Sequence, residues 1–154
     1  MYHDFRNEPF AEKVDGIYLV DVVEHIFKDE EQSFLDNLCL SLKQHGVCVM
    51  GTPNKTSEQY ASAFSREGHV NLKDHRELRE LGEERFFNHF IFGMNDEVVH
   101  TGFPEMAHFQ WSVGIGPGLL QLSASIFVIR PLCSSLSLSH TLHYPSPPAG
   151  GARG

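Results

Sequence analysis

The chain has 154 residues, is 41% hydrophobic and 21% charged, and carries a formal net charge of -8. These figures describe one ordinary globular domain and leave no room for a second. Lys and Arg number 12 against 20 Asp and Glu, which argues against a sequence-independent nucleic-acid binder, since neutralising phosphates needs clustered cations.

Taken in chain order, the start MYHDFRNEPF has no apolar stretch of the kind a secretory signal carries. Residues 16–23 (GIYLVDVV) form a near-continuous β-branched and aromatic run interrupted by Asp21, the pattern of a strand covered on both faces in a parallel sheet. Residues 29–45 place acids in the first turn (Asp29, Glu30, Glu31), apolar side chains at Phe34, Leu35, Leu38 and Leu42, and Gly46 just beyond; this spacing predicts an amphipathic helix with a glycine stop. Residues 47–50 read as a second short buried strand, ended by Gly51-Thr52-Pro53-Asn54, where Pro53 lacks a ladder donor. The result is a β-α-β unit with parallel strands.

A polar loop over 55–73 follows. Asp74 with Glu77 three residues on has the spacing of a capping box and opens a short helix through Leu78 and Leu81, weakened at its end by Gly82. Residues 86–92 (FFNHFIF) and the alternating 107–113 give two closing strands expected to pair as a hairpin, with a polar loop over 94–103 between them. All 20 acidic residues precede residue 114, and of the basic ones only Arg130 and Arg153 follow it. Residues 1–114 are therefore the folded unit. Residues 115–154 begin apolar and end Ser/Pro/Gly-rich, a composition expected to be largely disordered. The apolar part, 119–129, is too short and too interrupted by Ser and Gln to cross a bilayer, which takes about 20 apolar residues. Three cysteines (Cys39, Cys48, Cys133), without C-x-x-C spacing, make neither a disulfide framework nor a zinc site, so a reducing, cytoplasmic setting is expected.

The order DGIYLVDVVEHI, helix, SLKQHGVCVMGTPN, then HVNLKDHRELREL resembles the C-terminal half of the class I S-adenosylmethionine-dependent methyltransferases, over roughly residues 2–113. The resemblance implies an α/β fold: a partial Rossmann-like methyltransferase sheet holding strands four to seven, with a low-complexity tail. It implies S-adenosylmethionine as cofactor and a small-molecule or glycan-like methyl acceptor as partner. By the same resemblance Asp4, with Phe5 beside it, matches the acidic position that contacts the adenine. Asp21 matches the cofactor side of the fourth-strand end, Glu24 and His25 the reacting methyl, and Thr52 to Asn54 the fifth-strand end, where Thr52 and Asn54 would meet substrate. The family's first strand and Gly-rich loop precede the Asp4 position by many residues, whereas three residues precede it here. Cofactor binding is therefore expected to be weak.

From the residues themselves, ligands of open α/β sheets bind beyond the carboxyl ends of the strands, so Asp21–His25 and Thr52–Asn54 should face one crevice. His25 is the one plausible general base there, because its unperturbed pKa lies near neutrality; the competing reading has Glu24 and His25 as mere caps of the following helix. No metal site is expected. His69, His75, His100 and His108 with Asp96 or Glu97 lack H-x-x-x-H or H-E-x-x-H spacing, and Gly114-Ile115-Gly116-Pro117-Gly118 lacks the following helix of a phosphate loop. The phenylalanines Phe86, Phe87, Phe90 and Phe92 read as core. Two other functions stay open: a non-catalytic module that completes a partner chain by strand addition, and a metal-dependent hydrolase built on those histidines. The first strand, deprived of its neighbour, is expected to be an exposed hydrophobic edge prone to homo-oligomerisation.

Overall fold

The computed structural model describes residues 2–118, so the tail expected to be disordered lies, beyond residue 118, outside the described residues. The elements in order are β1 (Val14–Val20), α1 (Glu31–Ser41), β2 (Leu42–Pro53), α2 (Ala63–Gly68), α3 (His75–Glu83), β3 (Phe86–Asn95), β4 (Val98–His100) and β5 (Phe109–Pro117). Short 3-10 segments lie at Val23–His25, Lys55–Tyr60 and Pro104–Met106. The five strands form one mixed sheet in the order β1-β2-β5-β3-β4. The pair β1 and β2 is parallel, joined through α1, and every other pair is antiparallel, since parallel neighbours need a crossover connection.

Helix α1 presents Phe34, Leu35, Leu38 and Cys39 to one face of the sheet, against Cys48 and Met50 of β2, with Leu42 and Val23 closing the core. Full burial of each such side chain is worth about 1.5–3 kcal/mol. Asp74 caps α3 as the sequence implies: its side chain accepts from the N–H groups of Arg76 and Glu77, while Glu77 reaches back to the Asp74 N–H.

Several expectations are corrected. The helix ends at Ser41, not at the Gly46 stop, and 42–46 are already strand. The reason is tertiary: Leu42 is completely buried, and Lys13 Nζ donates to the carbonyls of Leu40 and Leu42, satisfying acceptors a helix end leaves open. Strand β1 is not covered on both faces; it is a sheet edge, with Tyr18 77% and Val20 41% exposed. The polar 55–73 stretch contains α2, and 94–103 contains the tight β3–β4 hairpin, turned at Asp96 with φ 51. Strand β5 pairs with β3 as expected, but it lies between β2 and β3 and continues past residue 114 to Pro117. Gly114 therefore sits within a strand. A Cβ there would come within 2.4 Å of the Phe86 ring, so the missing side chain is what lets the ring pack on the backbone. Of the four phenylalanines read as core, only Phe86 is buried; Phe87 and Phe90 are exposed.

Candidate functional site

The carboxyl ends of the parallel pair meet at one rim of the sheet. Val20 is paired with Gly51, and the N–H of the next residue, Asp21, donates to the Gly51 carbonyl at 3.0 Å. Asp21 then takes the left-handed conformation (φ 52), which Asp tolerates better than most side chains, and so turns the chain out of the strand. The following turn swings Glu24 back toward β2. Glu24 and Thr52 are both fully buried, and the Thr52 hydroxyl donates to Glu24 Oε2 at 3.0 Å. The second carboxylate oxygen, Oε1, is buried and makes no hydrogen bond. It lies 3.8 Å from His25 Nε2.

His25 is exposed, and its Nδ1 lies 2.8 Å from the Gly68 carbonyl. A carbonyl only accepts, so Nδ1 carries the proton and the lone pair of the neutral ring is on Nε2. The His69 ring stands edge-on to it, with centroids 5.2 Å apart. Glu24, His25 and His69 each offer a donor atom within 4.8 Å of the others. The alternative grouping of His69 with His75, His100, His108 and Asp96 or Glu97, which has no ligand spacing in the sequence, does not form among the described residues. The signal that would have found the right partners is absent from local spacing, because the 69–73 segment is drawn in by long-range bonds. The Asn71 N–H donates to the Glu24 carbonyl, and Asn71 Nδ2 to the Ile26 carbonyl and to Glu31 Oε1.

Beneath lies a buried charge pair, Lys73 with Glu31, joined by Lys28. Burial pulls the Lys73 ammonium below its usual range. Burial alone would raise the Glu31 carboxyl, but hydrogen bonds from Lys28 and Lys73 outweigh it and hold the group below its ordinary value. Asn54 is also fully buried. Its Nδ2 donates to the carbonyls of Pro104 and Ala107, and its Oδ1 accepts from the Thr56 N–H, so its side chain braces the end of β2. Beside it, the 3-10 segments Lys55–Tyr60 and Pro104–Met106 frame a cleft lined by Tyr60, Met106 and His108.

Asp4 and Phe5 are placed by the N-terminal segment. Arg6 chelates the Asp4 carboxylate through Nε and a terminal nitrogen, with the Arg6 N–H adding a third donor, and these contacts lower its pKa to about 2. Phe5 packs at the margin of the core, and its carbonyl accepts from Asn37 Nδ2.

No protein-family model matches the sequence, and no curated protein does. Among solved structures, an S-adenosylmethionine-dependent methyltransferase from Thermotoga maritima, described as a possible histamine N-methyltransferase, aligns with a TM-score of 0.59 at 17% identity, over 73% of this chain and 61% of that one. The fold is that of the S-adenosylmethionine-dependent methyltransferases. A methyltransferase from Archaeoglobus fulgidus aligns at 0.53 with 15% identity (72% and 62% covered), and the N-methyltransferase NodS from Bradyrhizobium japonicum, bound to S-adenosyl-L-homocysteine, at 0.52 with 14% identity (75% and 53% covered). The chain thus spans between 53% and 62% of the length of these three methyltransferases. Among the described residues no helix is long and apolar enough to cross a membrane.

Proposed function

We propose that this chain is the acceptor-side half of an S-adenosylmethionine-dependent methyltransferase, contributing strands four to seven of the sheet, in the order β1, β2, β3 and β5. The observation that carries the reading is the buried Thr52–Glu24 hydrogen bond of 3.0 Å, which locks the tips of two parallel strands together where such sheets bind ligands. The span of the chain on its structural neighbours agrees with a half-domain.

The cofactor supplies the electrophilic methyl group when bound. In this reading Asp4 and Phe5 take the adenine end; the low pKa of Asp4 keeps its carboxylate charged and able to accept an amino hydrogen. Asp21, exposed at the rim, faces the cofactor's middle. Glu24 and His25 face the acceptor, with His25 Nε2 free to receive a proton from an acceptor that must lose one. Thr52 fixes the Glu24 carboxylate, and Asn54 holds the rim of the substrate cleft by bracing 104–107. Alignment of nucleophile and methyl group is the main work of such a site. The cleft beside Tyr60, Met106 and His108 mixes aromatic and polar groups, as a small-molecule or glycan-like acceptor would require.

Titration calorimetry of the full chain with S-adenosylmethionine tests the half-domain reading. Dissociation constants weaker than about 1 mM are expected, leaving only about -4 kcal/mol of affinity. Micromolar binding would show that this chain alone holds a complete cofactor site. In any preparation that transfers methyl groups, His25→Ala should lower turnover by about 100-fold if His25 is the base, and unchanged turnover removes it from the chemistry.

A further inference from the structure

We infer that Glu24, His25 and His69 form a binding site for one divalent first-row transition-metal ion, with Glu24 Oε1 and His25 Nε2 as two of its donors. Three independent features converge. Glu24 is fully buried and one of its carboxylate oxygens has no hydrogen-bond partner. A buried acceptor left unmade costs about 1–3 kcal/mol, more when charged, and a cation bound there removes that penalty. The orphaned oxygen is aimed at the imidazole of His25, 3.8 Å away. The donor atoms of Glu24, His25 and His69 all lie within 4.8 Å of one another.

The second feature is the tautomer. The Nδ1–H of His25 is held by the Gly68 carbonyl at 2.8 Å, which is the outer bond that metal-ligating histidines make to fix the ring and raise the basicity of the other nitrogen. Nε2 is thereby presented, unprotonated, toward Glu24. Third, the other carboxylate oxygen is fixed by the Thr52 hydroxyl at 3.0 Å, so the carboxylate cannot rotate away. Both ligand-bearing segments are thus anchored from behind.

The chemistry of the donors narrows the ion. Two imidazoles and one carboxylate suit Zn, Mn, Fe or Co, whereas Ca and Mg prefer all-oxygen cages. Donor atoms about 2.0–2.2 Å from a tetrahedral ion stand about 3.4 Å apart, and exposed His25 and half-buried His69 need only small side-chain rotations to close to that spacing. Three protein ligands leave a coordination position open, as catalytic sites do. On the methyltransferase reading, that position receives the acceptor's oxygen or nitrogen, and His25 Nε2, the base of the metal-free site, is taken up as a ligand when the ion is bound. This role rests on that reading; the binding site does not.

The full chain should therefore be titrated with Mn2+ and the free aquo-ion followed by electron paramagnetic resonance. One equivalent is expected to bind, to be displaced by Zn2+, and to raise the thermal unfolding midpoint. Glu24→Gln, which keeps the Thr52 bond, and His69→Ala, which alters only a half-buried side chain, should each weaken binding by about tenfold or more, while His75→Ala should leave it unchanged. Absence of a stoichiometric site in the folded chain, or equal binding by all three variants, overturns the inference and leaves Glu24 and His25 as packed neighbours. Micromolar S-adenosylmethionine binding with Mn2+ binding intact would count against the half-domain reading alone.

Discussion

The two faces of the sheet are built on opposite terms. The face carrying Ile17, Leu19, Cys48 and Met50 lies under α1, with small or polar Ser112, Gln110 and Gly114 buried on β5. The other face carries Tyr18, Val49, Val113 and Phe90 in one row across four strands, and Tyr18 and Phe90 are 77% and 49% exposed. Large apolar side chains thus stand exposed on the face to which the described residues give less cover. An apolar row on an exposed face marks an interaction surface or an aggregation hazard, and it follows directly from a first strand patterned for burial on both sides.

The covered face can be broken most severely at its charge pair. Lys73→Met, which deprives the buried Glu31 of its one buried cationic partner, should cost about 3–5 kcal/mol in urea unfolding, and adding Glu31→Leu should recover much of it. Gly82→Ala comes next. Although alanine favours helix, a Cβ at Gly82 would lie 2.1 Å from His89 Nε2, so the ring that packs on α3 and meets Ser112 Oγ at 2.8 Å must move, at about 1–3 kcal/mol. Thr52→Val should cost about 1–2 kcal/mol by stripping Glu24 Oε2 of its donor, and Thr52→Ser should restore most of that.

A pH effect sharpens the contrast further. Burial pushes the His89 imidazole below its ordinary 6.5, so the folded state binds that proton less readily than the unfolded one. Stability from this group is complete above about pH 6.5 and declines as pH falls below it; His89→Gln should flatten that part of the profile in denaturant titrations. The exposed face should respond least in stability. Tyr18→Lys is expected to shift unfolding by about 0.5 kcal/mol or less, yet to reduce concentration-dependent self-association in sedimentation velocity, because a charged edge opposes strand pairing.

What was legible in the sequence follows the range of the interactions. The Asp74–Glu77 cap, the parallel β-α-β unit and the shared rim of the Asp21–His25 and Thr52–Asn54 segments depend on local pattern and on a short crossover, and all were readable. The end of α1 was not, since Lys13 reaches Leu40 and Leu42 from a distant segment and overrides the local glycine signal. The nearness of His69 to His25 was not legible for the same reason: only folding brings Gly68 and Asn71 to the His25 turn. The extent of strand β5 to Pro117 was obscured by a glycine-rich stretch that pairs regularly with β2 and β3.

The central claim is that the tips of β1 and β2 present one ligand crevice. Amide chemical-shift mapping of the full chain with millimolar S-adenosyl-L-homocysteine addresses it most directly. Shifts concentrated at Asp4, Phe5, Asp21–His25 and Thr52 are predicted; saturable shifts confined to the opposite rim, around Val14, Gly46 and Ile115, would contradict the account.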